Sequence, residues 1–246
     1  VPGADSLDFR DIEAFDATTA TVLSIGNGSD SRIYRTRDGG ASWTLQFTNP
    51  DSAAFFDCFA FWTPDAGLAM SDPVAGRFRI LRTTDGGATW TPLPAASSPA
   101  ALEGEAGFAA SGGCVATAPG GHAWIATGGG PQSRMLHSTD FGASWQAHSL
   151  VPIAAGAPPR GTFAVAAADA NRLVAVGGDY EQPAADTSNA AISSDGGSTW
   201  RAPAGRTPGG YRSGVVFVPG TDGRTLVAVG TSGTDFSTDG GETWVA

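Results

Sequence analysis

Three arginines stand just ahead of β-prone runs and share the chemistry of anion recognition. They are Arg10 in Phe9-Arg10-Asp11, Arg160 in Pro159-Arg160-Gly161 and Arg212 in Tyr211-Arg212-Ser213. A guanidinium presents a rigid fork of N–H donors, so three around one funnel suit a carboxylate or another anion. The plain alternative is that each pairs with a nearby acid, since all three lie beside acids or turn residues. Acids with the same placement are Asp11, Asp57, Glu105 and Asp179. Two loops add Ser71-Asp72-Pro73 with Arg77, and Gly178-Asp179-Tyr180-Glu181, beside Tyr211. Asp72 ahead of Pro73 serves equally well as a turn cap. The second loop runs to about Ser188, and long loops on a rigid scaffold are where binding is usually placed.

Other chemistries have less to work with. His122, His137 and His148 lack metal-ligand spacing and are expected to pack or face solvent. No loop repeats a calcium-ligand pattern, and no Gly-x-Gly-x-x-Gly opens a helix. No cofactor and no metal is expected. The net charge of −10 makes a nucleic-acid backbone an unsuitable partner. All 14 basic residues are Arg, which a GC-rich genome explains simply. No apolar run reaches the roughly 20 residues needed to span a membrane, and the 41% apolar fraction argues against disorder.

What must position these residues is a repeat. Thr36-Arg37-Asp38-Gly39-Gly40-Ala41-Ser42-Trp43 returns four more times, with its Asp at positions 85, 140, 195 and 239. The Asp-to-Asp intervals are 47, 55, 55 and 44 residues, and a period of this size built from short β-runs signals a propeller or an array. The Ser/Thr hydroxyl and the Asp carboxylate can bond backbone N–H groups across a tight turn. The Gly two residues after the Asp allows a positive φ. The Trp can fold its ring under the turn. Five of the seven tryptophans (Trp43, Trp90, Trp145, Trp200 and Trp244) sit in these boxes with Asp38, Asp85, Asp140, Asp195 and Asp239, so all ten are expected to be structural.

Each repeat contains four β-runs, the innermost first and the box between the third and fourth. The expected blades cover 9–49, 56–95, 108–150, 161–203 and 211–246, within one domain spanning 1–246. Runs such as Leu173-Val174-Ala175-Val176-Gly177 are continuously apolar, as strands covered on both faces are. The expected fold is all-β: a propeller of five four-stranded antiparallel blades in this chain, within the usual four to eight. Whether five close a ring alone stays open, because neither end carries a spare strand to complete a shared blade. Val1 to Asp5 reads as a linker and Ala246 falls two residues into an expected strand, which suggests a trimmed propeller or one lacking its neighbours.

Cys58 and Cys114 occupy matching places near the start of consecutive inner strands, where adjacent blades converge. Their Cβ atoms can therefore come within the roughly 4 Å that a disulfide needs. A bridge is expected and fits an exported setting; the alternative is two small buried apolar residues.

The boxes resemble the Asp-box, or BNR repeat, of sialidases, other glycoside hydrolases, sortilin-type receptors and photosystem II stability/assembly factor-like propellers. That last family is the closer resemblance. It rests on Arg-Thr-Thr-Asp-Gly-Gly-Ala-Thr-Trp at 82–90, on apolar second runs ending in Gly, and on Asp72-Pro73, Gly177-Gly178-Asp179-Tyr180 and Gly209-Gly210-Tyr211-Arg212-Ser213. It covers essentially the whole chain. Its bacterial branch is often labelled oxidoreductase, for which nothing in this sequence speaks. The resemblance implies an exported, periplasmic or extracellular, non-catalytic scaffold, monomeric, that binds a protein or peptide on its loop face. The alternative it implies is a sialidase-like hydrolase. There, Arg10, Arg160 and Arg212 would clamp a sugar carboxylate, with Tyr180 or Tyr211 as nucleophile and Glu105 beside it. The Arg-Ile-Pro signature of sialidases is absent, since Arg10 is followed by Asp11-Ile12.

Overall fold

A computed structural model of the chain describes residues 1–150 and 152–246. It is an all-β propeller of five antiparallel blades, each an up-and-down sheet with strands in sequence order. Blade 1 holds β1 (Asp8–Ala14), β2 (Ala20–Ile25), β3 (Arg32–Thr36) and β4 (Thr44–Thr48). Blade 2 holds β5 (Phe56–Phe61), β6 (Gly67–Val74), β7 (Arg77–Thr83) and β8 (Thr91–Pro92). Blade 3 holds β9 (Val115–Ala118), β10 (His122–Ala126), β11 (Arg134–Ser138) and β12 (Gln146–Ser149). Blade 4 has β13 (Arg160–Ala167), β14 (Leu173–Asp179) and β15 (Ala190–Ser193); blade 5 has β16 (Gly214–Phe217), β17 (Leu226–Gly230) and β18 (Gly233–Ser237).

The fourth strands of blades 4 and 5 shrink to single bridges, Ile192 to Arg201 and Phe236 to Val245. In blade 4 the reason is Pro203, two residues on, which has no N–H to carry a ladder further. The helical content among the described residues is one 3-10 turn over Gly28–Asp30. None of it is long and apolar enough to cross a membrane.

All five boxes fold alike. The Ser/Thr hydroxyl donates to the Asp Oδ1 and accepts the N–H of the second box Gly, as Ser138 does with Asp140 at 2.8 Å and Gly142 at 2.9 Å. The same Asp Oδ1 accepts an N–H four residues on. Trp145, Trp200 and Trp244 then turn back, their Nε1–H donating to the carbonyls of Gly142, Gly197 and Gly241. The third box puts Phe141 where the others have Gly, at φ 57°, a left-handed conformation that costs an L side chain about 1–2 kcal/mol.

Apolar seams hold blade to blade. Leu23 and Ile33 pack on Phe56, Phe59 and Leu81 between blades 1 and 2. Leu68, Met70 and Ile80 meet Ile125 and Leu136 between blades 2 and 3. Trp124 and Met135 meet Val165 and Leu173 between blades 3 and 4, and Val174 and Ile192 meet Leu226 and Trp244 between blades 4 and 5. The disulfide forms: Cys58 in β5 joins Cys114, one residue ahead of β9, with Cα atoms 6.0 Å apart.

Between blades 2 and 3 the chain does not take the short way round the rim. Residues 103–114 run through the centre and touch nearly every blade. Ala106 and Gly128 exchange both N–H···O bonds (2.9 and 3.0 Å), Phe108 stacks on Phe163 with ring centroids 3.8 Å apart, and the Val165 N–H donates to Gly113. This central connector occupies the place where the loop-face residues converge.

Candidate binding face

The inner strands of blades 1 and 4 begin earlier than expected, which takes Arg10 and Arg160 into them. Arg10 lies within β1 at a bulge between Phe9 and Asp11, and Arg160 is the first residue of β13, paired with Asp179 at the end of β14. Asp72 also sits at a bulge, inside β6 rather than in a loop, and Arg77 opens β7.

Each of the three arginines already holds a carboxylate of its own chain. Arg10 Nε bonds Asp8 at 2.8 Å on the exposed surface, which pulls the Asp8 carboxyl below its ordinary range. Arg160 Nε bonds Asp179 Oδ2 at 2.9 Å. Burial works against the Asp179 carboxylate, but the Arg160 guanidinium and the Glu181 N–H outweigh it and hold that carboxyl low. Arg212 is buried outright. Its Nε bonds Asp235 Oδ2 at 2.6 Å, while Nη1 reaches the Tyr211 carbonyl and Ser232 Oγ, both at 2.8 Å. Arg77 stands apart, its Nη1 donating to the Ser98 carbonyl at 2.6 Å.

The acids gather around the central connector. The Asp72 carboxylate accepts the Gly107 N–H at 2.8 Å, and Asp11 accepts the Phe59 N–H at 2.8 Å while lying against Gly112. Asp57 is buried beside Met70 and Gly107, and its Oδ2 has no hydrogen-bond partner. Burial dominates here, as expected for carboxyls taken from water. It raises Asp11 to about 8 against the Phe59 hydrogen bond, and Asp72 to about 6 against the Gly107 bond. Asp57 goes well above the ordinary range, through burial and then the neighbouring Asp72 charge. Glu105 sits on the connector itself, bound by Arg134 Nε at 2.8 Å, Thr127 Oγ1 at 2.6 Å and the Leu102 N–H at 2.8 Å.

An aromatic cluster completes the face. Phe163 lies edge-on to Tyr211 (4.7 Å) and Tyr180 (6.1 Å) and stacks on Phe108. Tyr211 is buried, which pushes its hydroxyl up to about 12, whereas Tyr180 is 46% exposed at the rim of the long loop. Tyr180 and Tyr211 are visible in the sequence as loop aromatics. Phe108 and Phe163 are not, because only the path of the connector brings them to the same place.

Two further features lie elsewhere. His122, His137 and Trp124 stack on blade 3, with His122 Nδ1 3.2 Å from His137 Nε2; burial, then the His122 and His148 charges, lowers His137 to about 4. A groove of about 460 Å³ on the seam of blades 1 and 2 is lined by Phe47, Phe56, Leu81 and Trp90, and by none of the loop-face candidates. Among the described residues, no group of three or more His, Cys, Asp and Glu is arranged to hold a metal ion.

What this face offers a ligand is an exposed tyrosine over an aromatic bed, a partly exposed Arg160 held by the buried Asp179, and the polar rim of the loop from Glu181 onward. No protein-family model matches the chain, and no curated protein is similar enough in sequence to count as a relative. Solved structures share the fold. A structure described as YCF48 bound to D1 peptide superposes at TM-score 0.58 and 18% identity, over 98% of this chain and 68% of that one. A GH74 enzyme of Niastella koreensis superposes at TM-score 0.61 and 13% identity, over 96% of this chain and 38% of that one. A protein of unknown function from Dyadobacter fermentans superposes at TM-score 0.55 and 16% identity, covering 94% and 72%. The chain therefore spans well under half of the GH74 enzyme's length, and the likeness in each case is one of fold.

Proposed function

We propose that this chain is a non-catalytic Asp-box propeller scaffold that binds a protein or peptide segment on the loop face around Tyr180, Arg160 and Asp179. The observation that carries the reading is the pairing of all three arginines with carboxylates of their own chain. A three-arginine clamp for a substrate carboxylate needs each guanidinium to reach the ligand, and Arg212 is 2% exposed with its donors taken up inside the chain, whereas a polypeptide can be held by an exposed aromatic, backbone groups and a polar rim. The likeness to the peptide-bound YCF48 structure supports the same reading. An exported setting, periplasmic or extracellular, accords with the disulfide.

The second reading is a glycoside hydrolase, and Asp72 favours it. A carboxyl held at about 6 lies in the range of a general acid. Two experiments separate the readings. The first offers the folded chain a panel of fluorogenic glycosides including a sialoside; the scaffold reading expects no turnover. Turnover abolished by Asp72→Asn or Tyr180→Phe makes the protein a hydrolase. The second selects binding peptides from a displayed library. Binding lost in Tyr180→Ser and in Arg160→Ala, with the thermal midpoint unchanged, supports the loop face. Selected peptides that bind both variants as well as the parent place the contact elsewhere and overturn it.

A further inference from the structure

Blade 1 puts a charge beside a seam that is otherwise apolar. Arg35, the last residue but one of β3, is 3% exposed and forms no ion pair. Its Nη1 crosses to blade 2, donating to the carbonyls of Gly86 at 2.9 Å and Pro64 at 3.2 Å, and its guanidinium carbon lies 4.7 Å from the centre of the Phe15 ring. Nε is buried without a hydrogen-bond partner, and Nη2 makes no hydrogen bond among the described residues. A buried charge left in this state is costly unless an opposite charge reaches it.

Arg37, two residues on and exposed, has no ion pair either. Burial first, and then the Arg37 charge, pulls the Arg35 guanidinium below its ordinary range, with Asp65 and Asp16 acting the other way. Both arginines line a cavity of about 440 Å³ between β4 and the box of blade 2, together with Thr44, Gln46 and Ala88. Gln46 Oε1 is buried there without a partner. The carboxylate in the wall, Asp38, is spent on its own turn: Oδ1 accepts the Thr36 hydroxyl and the Ser42 N–H, both at 2.8 Å, and Oδ2 accepts the Ser42 hydroxyl at 2.6 Å.

The repeat supplies a comparison within the same molecule. Blade 2 has a cavity of about 220 Å³ at the equivalent place, lined by Arg82, Thr84, Thr91 and Leu93, each 47 residues beyond its counterpart in blade 1. Thr84 stands there for Arg37, and Leu93 for Gln46. The box closes with the same bonds in both blades, so the turn accounts for neither Arg37 nor Gln46. Blade 1 has the larger cavity, the second cation and the amide.

We propose that this rim cavity binds a small oxyanion group (carboxylate, sulfate or phosphate), held by Arg37 and the unused donors of Arg35, with Gln46 as a neutral partner. Guanidinium groups hold such anions through charge-assisted hydrogen bonds. The volume lies within the roughly 300–1,000 Å³ of small-molecule sites, so either a free oxyanion or a polar molecule bearing one fits. The cavity is lined by none of the loop-face residues and is independent of what that face binds.

Calorimetric titration of the full chain at low chloride tests this with inorganic phosphate, sulfate, glucuronate and, as the neutral control, glucose. At least one anion is expected to bind saturably at one site per chain, and glucose not at all. Tighter binding of an inorganic ion assigns the site to the free oxyanion; tighter binding of glucuronate assigns it to an organic acid. Arg37→Gln, at an exposed position, should weaken binding about tenfold or more without moving the thermal midpoint of the unliganded chain. Arg82→Gln, at the matching place in blade 2, should leave the affinity intact. Three results overturn the proposal: no saturable binding of any anion at millimolar concentration, parental affinity in Arg37→Gln, or an equal loss in Arg82→Gln.

Discussion

Arg212 and Asp235 lie against each other with side chains only 2% and 1% exposed, Nε to Oδ2 at 2.6 Å, at the junction of the blade 5 lead-in and β18. A buried pair of this kind is costly to break, because the surviving charge is left without a partner. Arg212→Ala should therefore destabilise the chain by about 3–5 kcal/mol. Chemical denaturation reads this directly. A stability loss under 1 kcal/mol together with lost ligand binding would instead mean that Arg212 serves a ligand.

The Cys58–Cys114 bridge closes a loop of sequence separation 56 and crosses from blade 2 to blade 3. Loop-closure entropy for a span of that size corresponds to about 4 kcal/mol. Replacing both cysteines with Ser should lower the denaturation midpoint accordingly, and a reducing agent should do the same to the parent but not to the variant.

Protonation should shape the stability curve from several directions. Asp11 and Asp72, raised to about 8 and about 6, favour the folded state below the unfolded value of 3.8 and lose that contribution as pH climbs through 6 and then 8. Asp16 and Asp38, held near 2 by hydrogen bonds across their turns, contribute above 3.8 and lose it as pH falls toward 2. His137, lowered from 6.5 to about 4, adds a loss over that interval on acidification. Thermal midpoints across pH 3–9 in Asp11→Asn should show a flatter alkaline limb and an unchanged acid limb. An alkaline limb that persists undiminished would remove Asp11 from this role.

Phe141 sets two effects of similar size against each other. Its positive φ is strained, and its ring lies edge-on to Trp62 with centroids 5.3 Å apart, a contact worth about 0.5–1.5 kcal/mol. Phe141→Gly should thus change stability by less than about 1 kcal/mol in the parent. In a Trp62→Ala background, where the ring contact is already gone, the same change should stabilise. A double-mutant cycle measures the difference.

The turns were the most legible part of the chain and the centre the least. Box residues act on neighbours within four positions, so the hydroxyl, carboxylate and Gly roles follow from spacing alone. The third strands, Arg32–Thr36, Arg134–Ser138 and Ala190–Ser193, each end on the Ser or Thr that opens a box, so the box spacing alone marks where they stop. The inner strands of blades 1 and 4 reach back past Arg10, which sits in a bulge without a ladder partner, and Arg160, which pairs with Asp179. Outer strands stop short where proline removes a donor. Residues 103–113, rich in Gly and Ala, have no periodicity to betray them; their partners are Gly128, Phe163 and Ser213, on three other blades. For the arginines, nearby acids made ion pairing a reading as available as ligand binding. Asp235, the partner of Arg212, is 23 residues away in sequence and becomes its neighbour only when blade 5 folds back on itself.

A wheel whose hub is one of its own spokes' cords has an unusual weakness. The connector from 103 to 114 grips blades 1, 3, 4 and 5 from the inside and is anchored to blade 2 by the disulfide. A protease that severed only this segment would cut no sheet and leave every box turn whole. The two pieces would stay joined through the Cys58–Cys114 disulfide and the apolar seam of blades 2 and 3, but the hub would lose its continuous hold on the other blades.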